Sequence, residues 1–375
     1  MSELYCPLPP RDQDILRFRS QYGANLGSVF VLGPQLSNSI PREDPAGSSE
    51  LQFLKKSIAS NGLEETRRKW ETHWLSALSD DDLIWLKDVA KCRTLRLPLS
   101  FYSLGPLFCL GTAFEGEPSQ VYHSCWNIVK HLIEKCRYHG IGILIDFHTS
   151  SSGINLCANA ENRTVARDCV AFLAQEVTFH GMSGVVGLSI SSGCESASDM
   201  CECYDEVLKI ARAIDQSLLI YIDDGQEKSK QQVFGGCKSA IPQFRADFLN
   251  GTVQMPSCLT IPQAHVREKT KQATAEQSHF REKASSQTTS SWSPHQRQSF
   301  THGWDLGYSD ALRFFGAAIQ GILPPRDGAD KISALEPWIG QRKRDIQPAQ
   351  LDEDPSAWED GLRRGIDDFY KFVGI

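Results

Sequence analysis

The sequence predicts an α/β fold built on a parallel sheet, and three observations carry that prediction. Five short apolar runs punctuate the first 225 residues, helix-patterned stretches separate them, and the runs lack the polar alternation of a half-exposed strand. Strands buried on both faces read this way, and strands that alternate with helices form a parallel sheet, either doubly wound or closed into a barrel.

The first run is Ala24–Leu32 (ANLGSVFVL). A long connection over residues 33–93 follows, with a polar part around Ser37–Glu50 expected to be flexible. It also holds a helix over Ser79–Val89, where a serine cap and an acidic first turn suit the positive end of the helix dipole. The second run is Thr94–Leu99 (TLRLPL). Apolar spacing of three and four then marks a helix over Tyr122–His139, before the third run at Gly140–His148. Helices over Arg163–Phe179 and Met200–Ile214 flank the fourth run, Val185–Ser191, and the fifth is Leu218–Ile222. After Asp224 the pattern stops, although a complete eight-unit barrel takes three more units and about 250 residues. Gln226–Ser299 holds no buried-strand run. Its second half, Gln263–Ser299, is Ser/Thr/Gln-rich and reads as an exposed helix followed by a disordered linker. Three amphipathic helices are expected at Gly303–Leu323, Lys331–Arg344 and Ala357–Val373, with Trp304, Tyr308, Phe314 and Phe315 as a packing stripe. The expected organisation is a barrel-like portion over 1–225, a polar connecting segment over 226–300 and a helical extension over 301–375.

Composition narrows the function. Hydrophobic content of 41% with 23% charged residues suits a soluble chain, and a net charge of −7 disfavours nucleic acid or an anionic membrane as partner. No window approaches the roughly 20 apolar residues of a membrane span. The first residues, MSELYCPLPPRDQD, do not read as a secretory signal, so the twelve cysteines are expected to be reduced and the protein cytoplasmic. No cofactor or metal is expected. There is no GxxxxGK[ST] loop, GxSxG elbow or nicotinamide-binding glycine fingerprint; Cys201-Glu202-Cys203 is too tightly spaced for zinc, and His123, His131 and His139 drift around a helix.

Three segments carry a family resemblance: NLGSVFVLGP, WETHWLSALSDDDLIWLKDVAKCRTLRLPLSFYSLGP and GIGILIDFHTSSSG. They resemble family 5 glycoside hydrolases, most closely the fungal branch of exo-1,3-β-glucosidases, over roughly residues 20–225. The resemblance implies a (β/α)8 barrel that cleaves β-glucosidic bonds with retention, using glutamates at the ends of strands 4 and 7. That chemistry takes an acid on the leaving oxygen and a nucleophilic carboxylate about 5 Å away.

Each strand end can then be compared with the resembled pattern. Arg96 sits in the motif that carries the family's active-site arginine, and the alternative is a core arginine paired with an acid. Tyr102 either lines a sugar site or packs. Asp146 and His148 share a strand face by alternation, and His148 corresponds to a histidine near the substrate. On the fourth strand Ser192 and Gly193 stand where the family has Asn-Glu, which leaves Glu195, two residues on, as the only catalytic candidate; its alternative is a solvated loop acid. Val29 and Gly33 replace the family's Trp and sugar-binding Glu, and Asp224 retains an acid. No segment resembles the strand-7 nucleophile, as if residues were deleted near Gly225–Gln226. The expected fold is therefore an incomplete (β/α)8 TIM-barrel-like domain with C-terminal amphipathic helices, its open edges covered by residues 226–262 or those helices. The expected function is that of a degenerate member with little or no hydrolase activity, whose partner is a β-glucan or other glycoside. Two alternatives stand beside it: an active β-glucosidase, and a non-catalytic glycan- or protein-binding module.

Overall fold

The computed structural model describes residues 7–32, 49–148, 160–191, 197–223, 257–286, 292–346 and 355–375. In chain order its main elements are α1 (Asp12–Phe18), β1 (Gly23–Asn25), α2 (Glu50–Asn61), α3 (Leu63–Leu75), α4 (Asp80–Asp88), β2 (Thr94–Leu99), α5 (Glu117–Val121) and α6 (Cys125–Tyr138). They continue as β3 (Gly142–His148), α7 (Ala160–Phe179), β4 (Val185–Ser191), α8 (Ala197–Ile214), β5 (Ile220–Asp223), α9 (Gln263–Ser286), α10 (Pro294–Phe315), α11 (Leu335–Asp345) and α12 (Pro355–Val373). The chain forms two compact units. One spans Tyr22–Gly236 with Ile241–Leu249, and the other joins Met1–Gln21 to Cys237–Ala240 and Asn250–Ile375.

The sheet unit is a mixed α/β layer. Five strands pair in parallel in the order β1-β2-β3-β4-β5, and helices separate the last four. Consecutive parallel strands joined by helices are the arrangement of part of a (β/α) barrel. The two faces of the sheet differ sharply. Leu95, Leu97 and Leu99 of β2, Ile143, Ile145 and Phe147 of β3, and Leu188 and Ile190 of β4 join one buried core with Trp74, Trp126, Val129, Leu173 and Val207 from the helices. The alternate positions carry Arg96, Asp146 and Ser189, so the second face is polar toward the strand C-termini.

Two expected elements are corrected. The first apolar run gives a strand of only three residues, Gly23–Asn25, and residues 26–32 leave the ladder with Ser28 at φ 58°. Side chains take over the hydrogen bonds that a strand would make: His73 Nε2 lies 3.0 Å from the carbonyl oxygens of both Ser28 and Val29, and Leu32 N–H donates to Glu50 at 3.1 Å. The expected linker is the second correction, because its last part, from Pro294, is already α10. Ser293 and Gln296 form a reciprocal capping box there, and Pro294 occupies the first turn. The acidic-start helix forms as expected, with Ser79 capping α4. Residues 33–48 and 226–256, which include most of the expected flexible and connecting segments, lie outside the described residues.

In the helical unit, α10 and α12 run parallel and meet backbone to backbone through Gly303 and Gly307 on one helix and Gly361 and Gly365 on the other. A Cβ built on any of the four falls 2.0–2.2 Å from a carbonyl oxygen of the opposite helix. The aromatic stripe packs as expected. Trp304 stacks on Tyr308 at 4.9 Å, and Tyr308 and Phe315 meet Phe369 edge-on. Buried ions fasten the remaining elements: Arg342 binds both oxygens of Asp310 at 2.5 and 2.8 Å and donates to Leu8 O, while Asp330 lies between Arg326 and Arg19. Ser20 N–H donates to Lys331 O, and Arg19 bridges Ile332. Residues 7–20 are thereby built into a unit whose other members lie more than 200 positions away in sequence.

Candidate functional site

In a parallel α/β sheet, chemistry gathers at the strand C-termini, because the loops that leave them form the pocket. The register brings several polar positions together at that edge. Asn25 lies opposite Arg96. Asp146 lies opposite Pro98 and Ser189, and Ser189 lies opposite Tyr221. One step further on, His148, Ser191 and Asp223 occupy adjacent backbone positions on β3, β4 and β5.

The centre of this array is an ion pair. Arg96 Nη2 is 2.5 Å from Asp146 Oδ2, and Arg96 Nη1 donates to Asn25 Oδ1 at 2.9 Å. Asp146 is buried, with 1% of its side chain exposed, whereas Arg96 keeps 22%. The guanidinium thus has its charge matched by a buried carboxylate while part of the side chain stays exposed, and guanidinium N–H groups are donors of the kind a ligand hydroxyl accepts.

Tyr102 is placed differently. It is fully buried, stacks on Phe114 at 4.3 Å and donates to Glu50 Oε2 at 2.5 Å. Tyr122 donates to the other oxygen of Glu50, also at 2.5 Å. Burial, reinforced by the Glu50 charge, pushes both phenols well above their ordinary range, so they remain donors. Val29, where the resembled family carries Trp, is buried in the core. Glu195 and Asp224 lie outside the described residues, as do Gly33, Ser192 and Gly193.

Sequence reading missed Asn25 and Glu50. Asn25 opens the segment NLGSVFVLGP but is not singled out by it, and becomes relevant through its register with Arg96. Glu50 had a local signal, the Ser49-x-x-Gln52 capping box that starts α2, but its partners Tyr102 and Tyr122 are 52 and 72 residues away. Elsewhere, His131 and His139 both line an open surface hollow with Asp80, Glu134, Lys135 and Tyr138. Burial and the nearby Lys87 charge lower the His139 pKa. Among the described residues no group of three His, Cys, Asp or Glu side chains is placed to hold a metal ion, and no helix is long and apolar enough to cross a membrane.

Comparison with known proteins gives matches to carbohydrate-active relatives. Residues 269–373 match the family described as the glucan 1,3-beta-glucosidase 3 C-terminal domain. The chain is 27% identical over 231 residues to glucan 1,3-beta-glucosidase 3 of Schizosaccharomyces pombe, covering 58% of this chain and 48% of that protein. It is 22% identical over 244 residues to an uncharacterized glycosyl hydrolase of Saccharomyces cerevisiae, with the same two coverages. The chain therefore spans about half the length of the curated relatives it matches, and it is a relative of glycoside hydrolases.

Proposed function

We propose that this protein is a degenerate family 5 glycoside hydrolase, a partial (β/α) barrel that binds β-glucan-type glycosides at the strand C-termini with little or no hydrolysis. One observation carries the reading: the β4 positions in register with Asp146 and His148 are Ser189 and Ser191. A serine hydroxyl does not protonate a leaving glycosidic oxygen near neutral pH, and retaining chemistry takes two carboxyl groups. Arg96, steadied by Asp146 and Asn25, is the proposed sugar contact from β2, with His148 and Asp224 contributing from the ends of β3 and β5. Tyr102 acts from beneath, through Glu50.

The second reading is an active β-glucosidase with Glu195 as its acid, favoured by the similarity to a protein named as a glucan 1,3-beta-glucosidase. Turnover of laminarin and aryl β-glucosides separates the two. The first reading expects no turnover above a Glu195→Gln control, together with calorimetric binding of short β-1,3-glucans that Arg96→Ala abolishes. Turnover that disappears in Glu195→Gln would establish the second. Neither binding nor turnover would leave a protein-binding module.

A further inference from the structure

We propose that Glu50 is a positioning residue that fixes the backbone after β1 as one wall of the strand-end surface. Residues 26–32 lie beyond the strand ladder, yet their backbone is tied down along its length. Leu26 N–H donates to Arg96 O at 2.8 Å, which starts the segment beside the candidate sugar contact. His73 from α3 meets the carbonyls of Ser28 and Val29. At the far end Leu32 N–H donates to Glu50 Oε2. The same carboxylate receives Tyr102, in the turn after β2, and Tyr122, which follows α5.

Glu50 thus joins the exit of β1 to the exit of β2 and to the β2–β3 connection through one acceptor group. Its chemistry suits that task. A carboxylate is acceptor-only, so a backbone N–H and two phenols all point at it without conflict, and charge-assisted bonds in a buried site are strong. Tyr102 and Phe114 stack beneath it and Trp74 lies 5.5 Å from Tyr122, so the carboxylate sits on a rigid aromatic bed. Burial and the Glu50 charge together keep the Cys125 thiol protonated. Glu50 reaches any glucan only through the segment it holds, and its effect on affinity rests on the glucan-binding reading above.

The test uses the full chain with Glu50→Gln and, as a milder variant, Tyr122→Phe. An amide of the same size supplies one acceptor oxygen and a donor, so the three donors can no longer all be accepted. Amide hydrogen exchange at Leu32 should accelerate about tenfold or more in Glu50→Gln and less in Tyr122→Phe, with Ile143 and Ile145 of β3 unchanged. Affinity for laminari-oligosaccharides should fall about tenfold under conditions in which the variant remains fully folded, a loss that a smaller folded fraction would not explain. Unchanged exchange at Leu32 overturns the proposal. So does faster exchange with affinity intact. If Glu50→Gln does not fold, the same two readouts on Tyr122→Phe decide. If the wild-type chain binds no glucan, the binding reading fails, and exchange at Leu32 alone decides whether Glu50 holds the segment.

Discussion

The parallel crossing of α10 and α12 gives the sharpest quantitative test, because one substitution works in opposite directions at two glycines. In Gly307→Ala the new Cβ would stand 2.1 Å from Leu362 O and 2.9 Å from Leu362 C. Those are backbone atoms of a helix and cannot rotate away, so the two helices must part by about 1 Å to reach ordinary contact. Helix propensity favours alanine by about 1 kcal/mol. Overpacking of this kind costs about 1–3 kcal/mol, and a gap of 0.5–1 Å forfeits roughly a quarter to a half of each dispersion contact along the crossing. Packing wins, and the expected net loss is about 2 kcal/mol. Gly340→Ala on α11 is the matched control, since its Cβ meets only Arg344 Nη1, at 3.6 Å. There propensity acts alone and alanine should stabilise by about 0.5–1 kcal/mol. Hydrogen-exchange mass spectrometry of peptides from 294–315 and 355–373 reads the helical unit separately from the sheet unit, which a single melting curve would not. Protection should fall more than tenfold in Gly307→Ala and hold or rise in Gly340→Ala. Equal protection in the two variants would refute the close crossing.

Three further outcomes follow from the charges and thiols. Arg342→Ala strands the Asp310 carboxylate, whose other partner is Trp338 Nε1, and should cost about 3–5 kcal/mol by chemical denaturation. Replacing both with Leu and Met should recover much of that loss, and a double variant no better than the single one would contradict the assignment. Acid should loosen the α11–α12 link. The Arg363 guanidinium holds Glu336 below its ordinary range; burial alone would raise Glu359, but Lys343 and Arg363 outweigh it and hold it low as well. With depressed folded-state pKa values, this stability is present above the unfolded value of about 4.3 and is lost as pH falls through the lower folded values. The unfolding midpoint should therefore drop below about pH 4.3, and drop less in Arg363→Met. Finally, burial pushes the Cys109 and Cys136 thiols up to about 12. Iodoacetamide at pH 8 should leave both unmodified in the native chain and label both in denaturant, as read by peptide mass spectrometry.

What the sequence disclosed follows from the range of the interactions involved. The bounds of β2 and β4 are legible because a doubly buried parallel strand announces itself in a single apolar run, and the strands span Thr94–Leu99 and Val185–Ser191 as read. The run VFVL of residues 29–32 has the same composition and is not a strand. Nothing local records that His73 and Glu50, far along the chain, supply the hydrogen bonds that would otherwise demand a neighbouring strand. The start of α10 was hidden for the opposite reason: Ser, Gln and His dominate it, and the capping box Ser293-x-x-Gln296 was a better guide than composition. The GxxxG spacings on α10 and α12 weaken each helix taken alone, and their use lies in the close approach of the partner helix.

The Arg96–Asp146 pair bears on the kind of ligand this surface can hold. The register of β2 on β3 places both residues on one face, whereas the sequence leaves open whether Arg96 is an active-site group or a core arginine paired with an acid. An arginine without a counter-charge at a strand end would favour phosphate or carboxylate ligands, which bind it bidentately. With Asp146 2.5 Å away and Asn25 taking a second N–H, the site offers directed donors with its local charge already matched. Such a surface discriminates by hydrogen-bond geometry more than by net charge, and Ser189 in the neighbouring register position adds a group that both donates and accepts. A neutral polyol such as a glucan suits that array better than an anionic sugar does. The neutrality of the ligand gives a signature in binding: affinity for short β-1,3-glucans should barely change between low and high salt, because a neutral glucan displaces few ions. A steep fall in affinity with salt would mean that the arginine, and not the hydroxyl-matching array, dominates recognition.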